Sequence, residues 1–503
     1  MERLVFYGDD LIKVNLPEHT RVINPPAPLA PLQDYGSEIL RVLKEPIGTS
    51  PLREQVNSAS RVTIAFDDPC LPLPPMKNDC RDTVISTVLE ELFAAGVSPD
   101  RIKLVCATGL HRKWTPNELK SIVGKKAWSQ VKQITNHDAE DEEQIVKLED
   151  SPGGYPVNVN RLVIESDLLI YVNVNWTSMN GGWKSVMVGL GNYETISAHH
   201  NCSTLLEGGT VMDHRSHFHH TLKDMGTVIS RHANIFTIET VLNNRIWGDF
   251  LGRFFSLEKK SVPLAFRLAK YSPQKVKFLF SSLLRSAYQP LAVQGGNVDQ
   301  VHQSTLDTLY QQQNVDVEGQ TDALILGMPN ISPYAVFSRI NPLLALNSSL
   351  GYMFNMHHGK PPVRAGGNLI LIQPFLPGFH KSHHPSYVEF FEKVLPYTRD
   401  PRVMEEEFEN DFATRKEYIK RYQYHHAYHG VHPFYVWYWC APALEHLNRI
   451  IVVGAIDQSV TKRMGLSNAP NLEEAFAMTA SELGHDFTAT HLVMPPVFCT
   501  SVT

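Results

Sequence analysis

The stretch IKLVCATGLHRKWTPNE, residues 102–118, decides the fold class. Ile102–Ala107 is a short apolar run of the kind that forms a buried strand. Thr115, Pro116 and Glu118 then fit an N-cap, a first helical position and the third position of a capping box. The turn between strand and helix carries His111 and Arg112. Upstream, Arg61–Phe66 is a second apolar, β-branched run, and it ends in Asp67-Asp68-Pro69. Asp82–Gly96 follows with apolar residues at 84, 85, 88, 89, 92 and 93, a helical stripe closed by Gly96. Downstream, Val163–Val174 reads as a strand, 221–232 as a helix and Phe236–Leu242 as a strand. This alternation predicts a mostly parallel sheet flanked by helices.

A second α/β series runs through Ala323–Leu326, a helix near 334–346, Asn368–Gln373, a helix over 385–394, Arg449–Val453, Leu472–Leu483 and His491–Met494. The expected architecture is α/β with two domains, each a mostly parallel sheet with flanking helices. The boundaries fall at 1–255 for the N-terminal domain, 256–320 for a helical bridge or insertion, and 321–503 for the C-terminal domain. The glutamate-rich run Met404–Asn410 reads as a solvated helix face. In parallel sheets, loops at the carboxyl ends of strands carry the site. Asp67, Asp68 and His111 lie on loops of that kind.

The 503 residues suffice for two or more cores. Hydrophobic residues make up 43% and charged residues 19%, as in ordinary globular proteins. A net charge of -6 gives no general attraction to nucleic acid or anionic membranes. The six cysteines are scattered without a CxxC pair, which argues against a zinc ribbon or a disulfide framework. The expectation is a cytoplasmic protein without signal peptide or membrane span. Oligomeric state is not readable.

The chemistry concentrates in residues 172–201, VNVNWTSMNGGWKSVMVGLGNYETISAHHN. Lys184 follows Gly181-Gly182, a pair that favours close backbone approach. Its amine reads either as a group for covalent attachment or phosphate contact, or as a surface lysine after a turn. His199 and His200 read either as one metal ligand beside a packed neighbour or as two structural histidines. His111, before a capped helix, suits a general base or an anion binder, or a loop histidine bonded to the chain. Asp68 reads as a group orienting a base, or as a turn residue before Pro69. The His214, His217, His219 and His220 group reads as mainly structural.

Taken in order, DDPCLPLP (67–74), TGLHR (108–112), GGWKSVMVGLGNYETISAHHN (181–201), NLEEAFAMTASELG (471–484) and MPP (494–496) resemble the lactate racemase family of nickel-pincer enzymes. The likeness covers roughly 55–255 and 320–497. The resemblance implies a site in the cleft between two domains and a nickel-pincer nucleotide cofactor. It implies that Lys184 carries this cofactor through a covalent bond and that His200, seven residues after Tyr193, ligates nickel. Gly181, Gly182, Ser185 and Tyr193 correspond to the conserved frame of that cofactor seat. His111 corresponds to a family base, and Asp68 to the acid of the first loop. The implied chemistry is reversible hydride transfer from a 2-hydroxy acid carbon.

Three positions depart from the family pattern. Leu71 stands where the first loop has an arginine. Val174 stands where a second base precedes the glycine pair. Gly327–Tyr334 keeps only part of a second-domain segment and lacks its lysine, with Arg339 the nearest cation. Arg112, Arg339 and Lys360 are the candidates to replace the missing cation. The aromatic and histidine-rich stretches Tyr422–Trp439 and His380–His384 are candidates for the missing site groups. The expectation is an isomerase, racemase or epimerase, acting on a hydroxy acid or polyol-like alcohol, with cofactor-synthesis enzymes as partners. The alternatives are a homologue that binds the cofactor without turnover, and a histidine-site metal hydrolase.

Overall fold

Two six-stranded sheets organise the chain, in a computed structural model that describes residues 1–248, 272 and 284–503. In chain order the strands are β1 (Arg21–Ile23), β2 (Val62–Asp67), β3 (Ile102–Ala107), β4 (Gln133–Asn136), β5 (Leu168–Asn175), β6 (Ile235–Leu242), β7 (Pro290–Gly296), β8 (Thr321–Gly327), β9 (Val363–Ile372), β10 (Arg449–Val453), β11 (Ser467–Ala469) and β12 (Ala489–Leu492). The first sheet has the order β7-β6-β5-β2-β3-β4 and is parallel except for the β6–β7 pair. The second has the order β11-β10-β9-β8-β12-β1 and is parallel throughout. Every residue of β5 is buried. A strand covered on both faces loses the alternation of an exposed sheet and reads as a continuous apolar run.

The expected α/β architecture is present. Helix α1 (Cys80–Ala94) follows β2, and α2 (Pro116–Gln130) follows β3. The capping box forms as read: Thr115 Oγ1 accepts from the Glu118 N–H, and Glu118 accepts from the Thr115 N–H. Two short helices, α3 (Trp183–Gly189) and α4 (Tyr193–Ser197), follow β5. The second half contributes α5 (Lys416–Tyr424) and α6 (His432–His446).

Local chemistry moves several elements from where periodicity puts them. The run 163–174 is not one strand, because Asn160 accepts from the Leu162 N–H and caps a short helix, Arg161–Glu165. The helix expected over 334–346 starts only at Pro342, whose ring suits a first helical position, with Asn341 as its cap. The run Met404–Asn410 is helical but not wholly solvated, since Glu409 is 5% exposed. Of the stretch 256–320, residues 256–271 and 273–283 lie outside the described residues. Residues 290–296 are strand β7, and Val298–Gln313 form a helix against β6 and β7.

The chain's first residues serve the second sheet. β1 pairs with β12, and Val5, Val14 and Leu16 join Ile325, Ile370 and Ile451 in one core. The loops after β2, β3 and β5 all leave the same edge of the first sheet. That edge brings Asp67, Asp68, His111 and the Gly181-Gly182 turn together.

Gly182 has φ +57, and a Cβ there would stand 2.7 Å from the His302 ring. Gly359 also has positive φ, +69, with nothing within 4 Å. Gly182→Ala is therefore expected to lower Tm more than Gly359→Ala, by the equivalent of about 1–3 kcal/mol beyond the backbone penalty of about 1 kcal/mol. Equal thermal shifts would contradict the close packing at Gly182.

Candidate functional site

The loop after β2 is held by one guanidinium. Arg81, 1% exposed, donates to the carbonyl oxygens of Asp67 and Asp68 at 2.7 Å each and of Leu71 at 3.1 Å. Its remaining N–H groups meet the Asp79 carboxylate at 2.6 and 2.8 Å. All five side-chain donors are thus engaged. The loop so fixed turns the two aspartates in different directions. Asp67 accepts from the Val174 N–H at 2.8 Å and from Tyr171 Oη at 3.3 Å. Asp68 meets His111 Nδ1 at 2.9 Å and accepts from Trp114 Nε1 at 3.3 Å and the Cys70 N–H at 3.1 Å.

These surroundings separate the two carboxyls in acidity. Burial pushes Asp67 up to about 6, against the pull of the Val174 N–H, Arg81 and Lys184. Burial also acts on Asp68, but the charge and hydrogen bond of His111 outweigh it and hold that carboxyl below its usual range. An ionised Asp68 favours the His111 tautomer with its proton on Nδ1, which leaves Nε2 as the basic nitrogen. Cys70 Sγ lies 3.6 Å from the same Nδ1, and Asp68, Cys70 and His111 offer ligand atoms within 4.8 Å of one another. Burial and Asp68 push that thiol up, so it stays protonated.

His111 opens onto a narrow cavity of about 40 Å³, room for a few waters. His200, Tyr334, Asn347, His432, Tyr435 and Trp439 line it with His111. The His432 ring centroid is 5.4 Å from that of His111 and 4.6 Å from that of Tyr334. His432 Nδ1 bonds Tyr387 Oη at 2.5 Å. The segment before α6 docks on the His111 loop: the His429 N–H donates to Leu110 O at 3.1 Å, and Tyr422 Oη to Gly109 O at 2.7 Å. The main-chain bond from His429 to Leu110 joins the two halves of the molecule at the cavity's edge.

His200, 8% exposed, meets His199 through their Nδ1 atoms at 2.8 Å and stacks on Trp439, with Tyr435 alongside. Burial, then the charge of Lys184, pushes His200 down to about 3, so the imidazole is neutral. Lys184 is half-buried and makes no hydrogen bond or ion pair among the described residues. Burial pushes its amine pKa down, against Asp67 and Asp68, which pull it up. Ser185 donates to Asn173 Oδ1, and the Gly182 N–H donates to the buried Glu239 at 2.7 Å. Gly181 at φ +92 packs against that same carboxylate and Asn175. A free amine and a neutral, cavity-lining imidazole are the donor set a covalently linked metal cofactor requires.

Tyr193 lies off the cavity, and its hydroxyl donates to Glu409 at 3.1 Å. Glu409 also accepts from Tyr435 at 3.2 Å and Tyr438 at 2.8 Å, so it ties α4 to α6. Arg112 is engaged with Glu118 at 2.7 and 3.2 Å and stacks 3.7 Å over Trp114. Arg339 and Lys360 are exposed, and no contact joins Arg339 to His111, Asp68 or His200 among the described residues. Val174 is fully buried in β5 and its side chain offers no base. Arg81, Glu409 and His432 carry no motif, and the histidine-rich composition around 425–432 was the one signal for the last.

Residues 7–228 match the family model of the lactate racemase N-terminal domain. A lactate racemase of Lactiplantibacillus plantarum is 29% identical over 221 residues, 42% of this chain and 49% of that one. A lactate racemase of Thermoanaerobacterium thermosaccharolyticum is 27% identical over 173 residues, 34% of this chain and 38% of that one. The chain thus spans about half the length, or less, of the curated relatives it matches. The solved lactate racemase apoprotein of T. thermosaccharolyticum shares the fold, with a TM-score of 0.64 over 98% of both chains at 17% identity. A solved Thermotoga maritima protein does so with a TM-score of 0.55 over 95% of this chain and all of that one, at 13% identity. Residues 7–228 are thus similar to the lactate racemase N-terminal domain, and the chain as a whole shares the fold of a lactate racemase apoprotein. No helix among the described residues is long and apolar enough to cross a membrane.

Burial raises Glu409 to about 7 despite the hydroxyls of Tyr438 and Tyr193, with Glu405 adding to the rise. The folded state therefore holds a proton that the unfolded chain releases above the ordinary value of 4.5. Stability contributed here falls as pH rises from there to about 7. The full effect is on the order of 3 kcal/mol. Glu409→Gln, neutral at all pH, is expected to flatten the decline of Tm across that window. An unchanged decline would contradict the assignment.

Proposed function

We propose that the chain is an isomerase that inverts a hydroxyl-bearing carbon of a 2-hydroxy acid or polyol-like alcohol, with a nickel-pincer nucleotide linked at Lys184 and its nickel held by His200. The observation that carries this reading is that the Lys184 amine has no hydrogen-bond or ion-pair partner among the described residues, while its charge is felt by the neutral His200 that lines the cavity. A covalent link consumes such an amine, and a metal takes an uncharged imidazole. When bound, the group supplies a hydride acceptor and donor. Gly181, Gly182 and Ser185 frame the Lys184 turn, while Tyr193, expected to join them, is engaged with Glu409 away from the cavity.

The chain's own residues supply proton handling and orientation. Asp68 holds His111 by Nδ1. Nε2 of His111 then takes the hydroxyl proton of one enantiomer and returns it when that enantiomer is re-formed. His432 stands on the opposite element and serves as a second base, the role that Val174 cannot fill. His432 Nδ1 and Tyr387 Oη share a hydrogen bond of 2.5 Å, and Nε2 is the basic nitrogen in the tautomer whose Nδ1–H donates it. Trp439, Tyr435 and Val436 exclude water. With Arg112 paired and Arg339 exposed, Tyr334 and Asn347 are the neutral polar groups that orient substrate, which favours a hydroxyl-rich molecule over one clamped by its carboxylate.

The test uses protein produced with the cofactor-synthesis enzymes and a panel of chiral 2-hydroxy acids and polyols deuterated at the reacting carbon. Inversion with the label retained is expected, because a hydride returns to the carbon it left. Loss of the label to water would contradict hydride transfer, and no inversion across the panel would favour a cofactor-binding homologue without turnover. His111→Asn is expected to lower turnover by about 10²–10⁴-fold. His432→Asn should lower kcat/KM about equally in both directions, because the equilibrium constant fixes their ratio; an unchanged kcat/KM would remove His432 as the second base.

A further inference from the structure

Beside the His111 loop lies a second and larger recess of about 740 Å³. That is the size of a small-molecule site. Its walls come from both halves of the chain: Arg112 and the start of α2, the turn at 380–383, and α5 with the two histidines that follow it.

Its charge is one-sided. The acids on its walls are Glu118 and Glu417, and each is already matched. Arg112 holds Glu118, and Arg421 holds Glu417 at 2.7 and 3.0 Å. Lys381 and Lys420, both exposed, make no ion pair among the described residues. They leave the recess with two uncompensated positive charges on different elements.

The imidazoles are set out as further donors. His380 Nδ1 accepts the His383 N–H at 3.0 Å, which places the His380 proton on Nε2. His426 has φ +55, a conformation rare for a residue with a side chain, and its Nδ1–H donates to Lys113 O at 2.8 Å. Arg112 is 1% exposed, yet its Nε has no hydrogen-bond partner, and neither does the buried Nδ1 of His383. Burial, then Arg112 and His380, pushes His383 down to about 3, as expected where positive charge is in excess. Among the described residues, these imidazoles do not form a metal-holding group.

We propose that this recess is a binding site for a small, multiply charged anion of the phosphate class. A tetrahedral dianion accepts many donors at once and would match the two lysines while receiving the imidazole N–H groups. The assignment stands on this recess alone and does not depend on the reaction at His111. The two are adjacent, since Arg112 follows His111 in the chain and the Tyr428 N–H donates to His383 O at 2.9 Å.

The experiment is calorimetric titration of the full chain with inorganic phosphate and with pyrophosphate, using sodium chloride at matched ionic strength as the control. The imidazole signals of His380 and His383 are followed by NMR in parallel. Saturable binding that shifts both signals is expected, with affinity reduced about tenfold or more in the Lys381→Glu/Lys420→Glu double variant and kept in the Lys381→Arg/Lys420→Arg variant. Both lysines are exposed and unpaired, so neither variant disturbs the fold. No saturable binding of either anion up to about 10 mM would overturn the proposal. So would binding that the charge reversal leaves unchanged or that does not shift the two histidines. Tighter binding of pyrophosphate than of phosphate would assign the site to a diphosphate-bearing ligand, and the reverse order to a monophosphate.

Discussion

The Arg81 guanidinium is the constraint on which the site depends. It has no room to move and no donor to spare: its five N–H groups hold three carbonyls of the 67–71 loop and the Asp79 carboxylate. Fixing those carbonyls fixes the direction of the two aspartates between them. Asp68 then fixes the tautomer and ring plane of His111, while Asp67 lies behind, bonded to the backbone of β5. Loss of the guanidinium would leave several buried acceptors unmatched, at about 1–3 kcal/mol each. An arginine so engaged cannot also hold a substrate. It explains how a loop with Leu71 in place of a cation keeps its shape without supplying a clamp.

The second half of the chain closes the site with aromatic rings and imidazoles. α6 lays His432, Tyr435 and Trp439 on the cavity, and Glu409 gathers three tyrosine hydroxyls from α4 and α6 into one buried knot. That knot spans the two halves and sits next to the His200 segment. The wall is accordingly rich in neutral hydrogen-bonding groups and poor in fixed charge. Under the proposed function, such a wall would select by shape and hydroxyl pattern more than by net charge.

Much of the first half was legible because its signals are local. Strands buried on both faces read as continuous apolar runs, and Thr115-Pro116-Asn117-Glu118 caps a helix by its own chemistry. The Gly181–His200 stretch was legible as a candidate seat for the same reason: its residues are close in sequence. Arg81, Glu409 and His432 were not, since their partners at the site lie 10 or more residues away and only the fold assembles them. β1 was hidden in a proline-flanked segment of three residues whose strand character comes from pairing with β12. The glutamate run 404–410 misled in part because composition does not reveal that one of its acids faces inward.

The most direct measurement is peptide mapping by mass spectrometry, with nickel quantified, on the chain produced together with the cofactor-synthesis enzymes. The account predicts one adduct, on the peptide containing Lys184, and about one nickel per chain that is lost in His200→Ala while the adduct remains. An unmodified Lys184 in protein that inverts its substrate, or nickel held equally well without His200, would contradict it.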